Sequence, residues 1–354
     1  MPELGIIEGY FGRHWSWAER VDVVARLAPA GYRFFHYAPK AEALLRKRWQ
    51  EPVAGAALDD LAEFAGRCGD ADMRFGVGLT PFGVQHGFGA DERLALKAKL
   101  AQLDSIGIAD CAILFDDMEG DVPDLAARQA EVMAFVLDHS RATRFFLCPS
   151  YYSDDPVLDR VFGARPDDYL ADLGRLIDPA VAIYWTGEEV CSREVGCGHL
   201  GDVAQLLNRK LALWDNYPVN DGPRMSQHLH LRAFTGRSVA AGAMLSHHAI
   251  NPMSQPVLGC IPALTLPMLY EQGADYRYGA AFMDAAAAVV GEELAAMLQA
   301  DLLTLNDSGL DRISDGRKAK LSARYAAIDH PAAREVVDWL DGGYAISGEM
   351  LQTQ

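Results

Sequence analysis

The chain has 354 residues, half of them hydrophobic and 23% charged, which excludes a disordered or low-complexity protein and allows a full-sized core. Lysine and arginine number 32 against 49 aspartates and glutamates, a formal charge of −17. That balance argues against nucleic acid or an anionic membrane as partner, since both need a basic face, and it reads first as solubility.

The N-terminus, MPELGIIEGYFGRHW, has no basic stretch followed by an apolar one and a small-residue cleavage site, so no secretory leader is expected. No run of about 18 apolar residues occurs, so no membrane span is expected either. The six cysteines, Cys68, Cys111, Cys148, Cys191, Cys197 and Cys260, are scattered without a CxxC pair. They read as reduced, buried thiols of a cytoplasmic protein rather than as a zinc site.

Short apolar, β-branched or aromatic runs recur along the chain at 5–12, 33–39, 74–80, 110–117, 144–152, 181–187, 211–217 and 242–251. Segments of helical period fall between them, at 16–30, 58–67, 91–106, 126–138 and 166–177. Repeated strand–helix order requires parallel strands with helical crossovers. Eight such strands predict an α/β protein, a (β/α)₈ barrel over residues 1–277. A doubly wound sheet is the alternative, but no GxGxxG or P-loop follows the first strand. After Asn251 the chain turns proline-rich and then helical, which predicts a small helical extension over 278–354. That extension could cap the barrel or pair two chains into a homodimer.

Chemistry in such a barrel sits where strands end. Here those places carry Glu8-Gly9-Tyr10, Tyr37 to Lys40, Asp116-Asp117, Tyr151-Tyr152, Trp185-Thr186, Trp214 to Tyr217 and Asn251. Seven such ends on one rim describe a polar pocket with aromatic walls, which suits a sugar ring. Asp116-Asp117 is the sharpest feature. Two carboxylates at one strand end repel, so one tends to hold a proton while the other stays charged. The same pair also fits a helix N-cap beside a surface acid. Lys40 fits either a pocket or a surface, and Asn216 and Asn251 could simply satisfy loop backbone.

The histidines offer a competing metal-hydrolase reading. Gln227 to Leu231 contains an HxH, but it lies between the seventh and eighth strands, where a short extra strand with outward histidines is expected. Of His247-His248 in the last strand, one is expected in the core, bonded to backbone. No metal and no cofactor are expected.

Several stretches together resemble a known family. They are GIIEGYFGRHW (5–15), YAPK (37–40), LKAKLAQLDSIGIADCAILFDD (96–117), CPSYY (148–152), YWTGEEVCSREV (184–195), LALWDNYPVND (211–221) and INP (250–252). In this order they resemble the family 84 glycoside hydrolases, of the O-GlcNAcase and β-N-acetylglucosaminidase type. The resemblance implies substrate-assisted, retaining hydrolysis of β-linked N-acetylglucosaminides, in which the sugar's own acetamido oxygen attacks the anomeric carbon to form an oxazoline. It implies that Asp116 polarises the acetamido N–H and that Asp117 is general acid and then base. Tyr152 would bond the acetamido oxygen, with Tyr151 as the neighbouring alternative. Asn216 would contact the acetamido group or the acid, and Trp214 would wall the acetamide pocket. Gly9, Lys40, Asp221 and Asn251 would hold ring hydroxyls. The expected partner is a glycoprotein, glycoside or cell-wall fragment bearing the sugar, and the short flanks predict a near-minimal catalytic unit. A catalytically silent glycan-binding scaffold on the same barrel is the alternative.

Overall fold

The computed structural model describes residues 1–348; the last six residues of the predicted extension, 349–354, lie outside the described part. Eight parallel strands close on themselves in sequence order. They are β1 (Glu3–Glu8), β2 (Tyr32–Tyr37), β3 (Arg74–Leu79), β4 (Asp110–Leu114), β5 (Arg144–Cys148), β6 (Ala182–Trp185), β7 (Leu211–Asp215) and β8 (Leu245–Ile250). Closure runs from β1 to β8, with Ile6 opposite Ile250. The predicted (β/α)₈ barrel is therefore the fold.

Helices α1 (Trp17–Leu27), α2 (Gly55–Asp70), α3 (Ala90–Ser105) and α4 (Leu125–His139) cross between the first five strands. Next come α5 (Pro156–Phe162), α6 (Tyr169–Leu176) and α7 (Cys197–Leu206), with the short α8 (Gly222–Met225) and α9 (Val239–Ala243) inserted between β7 and β8. After β8 follow α10 (Pro256–Gln272), α11 (Tyr278–Val290), α12 (Glu292–Leu302), α13 (Asp315–Ala326) and α14 (Pro331–Leu340). Local signals set the ends. Ser16 and Glu19 form a reciprocal capping box at α1, with Glu19 N donating to Ser16 Oγ at 3.2 Å.

Alternation along the strands divides the core in two. Ile7, Phe34, Ala112, Leu114, Phe146, Tyr184, Ala212 and Trp214 fill the barrel interior. Their neighbours Ile6, Phe35, Cys111, Ile113 and Leu213 face the helices.

The proline-rich stretch after Asn251 differs from expectation. It is mostly the 17-residue helix α10, buried along nearly its whole length, with Pro262 and Pro267 inside it. Pro267 lacks the N–H that would bond the carbonyl of Ala263, and the Tyr32 hydroxyl donates to that oxygen instead, at 2.8 Å. A donor from β2 thus repairs what the proline removes. The expected extra strand around the HxH is likewise absent among the described residues: 227–235 is irregular. His230 is buried rather than outward, its Nδ1 lying 2.7 Å from the carbonyl of Val219, and the ring of His228 meets the carbonyl of Asn306. His248 is the core member of its pair, but it bonds Asp215 and the Tyr270 hydroxyl rather than backbone. Cys68, Cys111, Cys148 and Cys260 are buried as expected, whereas Cys191 and Cys197 are exposed.

Candidate active site

A cavity of about 250 Å³ opens at the C-terminal mouth of the barrel. That is below the usual ~300–1,000 Å³ of clefts for drug-sized ligands, so it holds one ring rather than a chain. All nine residues singled out from the sequence line it: Gly9, Lys40, Asp116, Asp117, Tyr152, Trp214, Asn216, Asp221 and Asn251.

The carboxylate pair is built by the end of β4. Ala112 and Leu114 point inward, Phe115 packs outward, and Asp116 follows inward by the same alternation. Asp117 would next turn away. Its φ of 60° places it instead in the left-handed region, and it too lines the cavity. That backbone is sparsely populated outside glycine, though aspartate is among the residues that tolerate it.

Lys40, carried just beyond β2, joins the two acids. Its ammonium bonds Asp116 and lies 2.9 Å from Asp117 Oδ2, while Arg46 approaches Asp117 to 3.9 Å. Burial pushes the Asp117 carboxyl up, but the charge and hydrogen bond of Lys40, the charge of Arg46 and the Tyr152 hydroxyl outweigh it, holding the carboxyl below its ordinary range. Asp116 is buried, and its Oδ1 has no hydrogen-bond partner. Burial, followed by the charges of Asp117 and Asp116, pushes the Tyr152 hydroxyl well up, so it remains a donor.

The opposite wall is a network of amides. Asn216 Oδ1 accepts from Trp214 Nε1 and from Asn251 Nδ2, both at 3.0 Å, and Asn216 Nδ2 donates to the carbonyl of Val190 at 2.7 Å. Asn251 Oδ1 accepts the Gly9 N–H at 3.3 Å. Asp221 accepts the Phe11 N–H at 2.9 Å, and burial lifts its carboxyl to about 6 against that bond and the charge of Lys40.

Several strand-end residues turn elsewhere. Glu8 lies outside the barrel in a two-pronged pair with Arg20, at 2.7 and 2.8 Å. The Tyr151 hydroxyl donates to the carbonyl of Gly163, Trp185 donates to His199, and Tyr217 donates to the carbonyl of Arg232. The pocket therefore contains Tyr152 of the tyrosine pair. Sequence reasoning missed Phe11, Cys148, Val190 and Cys191 on the lining and Arg46 behind it. The first four lie inside the quoted motifs; Arg46, in the loop between β2 and α2, carried no signal. Among the described residues no cluster of histidine, cysteine or acidic side chains could hold a metal ion, and no helix is long and apolar enough to cross a membrane.

Paired carboxylates, amide donors and an aromatic wall at a barrel mouth make a pocket of the kind used by sugar-cleaving hydrolases. Comparison narrows the class: the chain matches the beta-N-acetylglucosaminidase family over residues 4–302 and belongs to it. Among curated proteins it is 24% identical over 277 residues to the protein O-GlcNAcases of Mus musculus and Rattus norvegicus. That match covers 75% of this chain, which spans 30% of the length of those relatives. Among solved structures, a mutant of the Thermobaculum terrenum O-GlcNAc hydrolase superposes with a TM-score of 0.79 at 23% identity, over 99% of this chain and 86% of that one. At that identity the likeness speaks for the fold.

Proposed function

We propose that this chain is a retaining β-N-acetylglucosaminidase that removes terminal β-linked GlcNAc through an oxazoline intermediate. The observation that carries the reading is the buried Oδ1 of Asp116, an acceptor without a donor in a pocket otherwise well bonded. A buried acceptor in that state calls for a donor from a ligand. The N–H of a 2-acetamido group supplies it, and a charged acceptor there draws electron density toward the acetamido oxygen as it attacks the anomeric carbon.

Asp117 then gives its proton to the departing oxygen and later takes one from water. The Tyr152 hydroxyl, a donor at any ordinary pH, turns to the acetamido oxygen. Asn216, Asn251, Lys40, Asp221 and the Gly9 backbone hold ring hydroxyls, and Trp214 walls the acetyl methyl. The natural carrier of the sugar is a glycoprotein, glycoside or wall fragment, and the compartment is the cytoplasm. We assign the chemistry to 1–277 and a bracing role to the helices beyond it: Ile346 N meets Ser226 Oγ at 3.4 Å, behind the loop that carries Asp221.

The test compares aryl N-acetylglucosaminides bearing acetyl and trifluoroacetyl groups. Participation predicts a steep fall in rate with fluorination, because the carbonyl oxygen loses nucleophilicity. Equal rates would remove the oxazoline, and sugar binding without turnover would make the chain a lectin-like scaffold. Asp117→Asn should slow an alkyl glycoside far more than one with a good leaving group, since only the former needs its oxygen protonated.

A further inference from the structure

The pocket as it stands does not hold a general acid ready to act. Asp117 faces the ammonium of Lys40 at 2.9 Å and the guanidinium of Arg46 at 3.9 Å, an arrangement that favours its charged form. The other groups around it are Asp116 on the same loop, Tyr152 and Cys148 from the end of β5, and Asp221 and Cys191 across the cavity. Charge counting is informative: three carboxylates, Asp116, Asp117 and Asp221, line the cavity with one cation, Lys40, and a second, Arg46, stands behind it. In water the excess negative charge is solvated. A neutral sugar that fills about 250 Å³ expels that water without adding charge. Its hydroxyl oxygens also compete for the three N–H donors of Lys40, the flexible member of the cation pair.

We propose that Lys40 is a positioning residue that keeps Asp117 ionised in the empty pocket, and that arrival of the sugar draws the ammonium away and makes Asp117 take up one proton from solvent. The acid is thereby charged with its proton only when a substrate is present to receive it. This rests on the glycosidase reading above. The lowered Asp117 carboxyl of the empty site agrees with it, as does the position of Lys40 against both acids at once. The raised Asp221 carboxyl is the competing destination for the proton.

Calorimetric titration with N-acetylglucosamine, repeated in buffers of different ionisation enthalpy, reads the protons taken up without any turnover. At a pH between the values at which Asp117 titrates in the empty and in the bound enzyme, wild type should take up between about half a proton and one proton per site, and Asp117→Asn should take up none. Uptake that persists in Asp117→Asn and vanishes in Asp221→Asn, or no uptake in wild type, would overturn the proposal. Kinetics with an alkyl glycoside give a second readout. The basic limb of kcat should lie about 1–3 pH units above that of kcat/KM, since the first reports the bound enzyme and the second the empty one. Lys40→Met should close that gap by moving the kcat/KM limb upward, with a raised KM, and Lys40→Arg should preserve it. A gap unchanged in Lys40→Met would reject Lys40 as the agent while leaving the glycosidase reading intact. Absence of turnover by wild type would reject that reading instead.

Discussion

Strand β4 begins at one buried aspartate and leads, two residues past its end, into another, and the two have opposite surroundings. Asp110, at its start, is 0% exposed and accepts from Arg74 Nε at 2.9 Å, Arg74 Nη2 at 3.2 Å and His36 Nε2 at 3.0 Å. His36 is held in turn by the Tyr184 hydroxyl at 2.7 Å. Asp116, just past the other end, is 5% exposed, bonded on one oxygen and unpartnered on the other. Burial is nearly equal, so burial does not set the two carboxylates apart. The completeness of hydrogen bonding does, since Asp110 is bonded on both oxygens and Asp116 on one.

The largest expected effect breaks the mouth. Asp116→Asn should lower turnover of an aryl N-acetylglucosaminide by about 10²–10⁴-fold, from the loss of charge beside the attacking amide. Its melting temperature should change little, because loss of the charge-assisted bond to Lys40 is offset by relief of the repulsion between the two acids. Loss of stability without loss of turnover would invert the assignment of the two aspartates.

A third buried carboxylate sharpens the comparison. Both oxygens of Glu335, on α14, accept N–H groups at the start of α10, from Val257 at 2.9 Å and Leu258 at 2.8 Å. It is satisfied as Asp110 is, but by dipoles, and burial outweighs them and lifts it to about 7. Its folded form therefore binds a proton more tightly than its unfolded form. Stability should decline as pH rises through about 4.5 to 7, by roughly 3 kcal/mol if the whole difference is expressed. Asp110 is lowered despite its burial, because His36 and Arg74 outweigh it, and so has the opposite sign: its contribution is present above the ordinary carboxylate range and is lost as pH falls below it. Urea unfolding of wild type and Glu335→Gln across pH 4 to 8 checks the first, since the variant's decline should be smaller by that amount, the raised Asp221 carboxyl supplying the rest. Asp110→Asn should cost about 1.5–3 kcal/mol at pH 7 through the loss of charge-assisted bonds, with kcat unchanged.

The bottom of the barrel and its strands were legible in sequence because alternation and strand–helix order are periodic. The strand ends were not. Predicted strands overran the ladder, to 117 against Leu114, to 152 against Cys148 and to 217 against Asp215. The pocket is lined with the aromatic residues that strands also favour, so composition gives no sign of where pairing stops. The choice between Tyr151 and Tyr152 is one of parity and needed the bond of Tyr151 to Gly163. Val190 and Cys191 reach the pocket because Arg237, paired with Asp215, also bonds the carbonyls of Ser192 and Arg193. That anchor is remote in sequence from the loop it holds.

The smallest expected effect tests whether the wall of the mouth is as tightly set as its amide network implies. A Cβ on Gly9 would stand 2.4 Å from Trp214 Cζ2 and 2.8 Å from Cη2, closer than side chains pack. Trp214 cannot yield alone, since its Nε1 bonds Asn216, which Asn251 also bonds. Gly9→Ala should therefore displace the wall as a unit, at a cost of about 1–3 kcal/mol. The loss should appear mainly as a raised KM, because the acids just beyond β4 are untouched. Gly66, on the exposed face of α2, has nothing within 4 Å of its added Cβ. Gly66→Ala should raise stability by up to about 1 kcal/mol, as helix propensity predicts, and leave KM alone. An equal KM for the two variants would mean that the wall yields to a methyl group, and that recognition at this mouth depends on the carboxylates more than on the shape of the cavity.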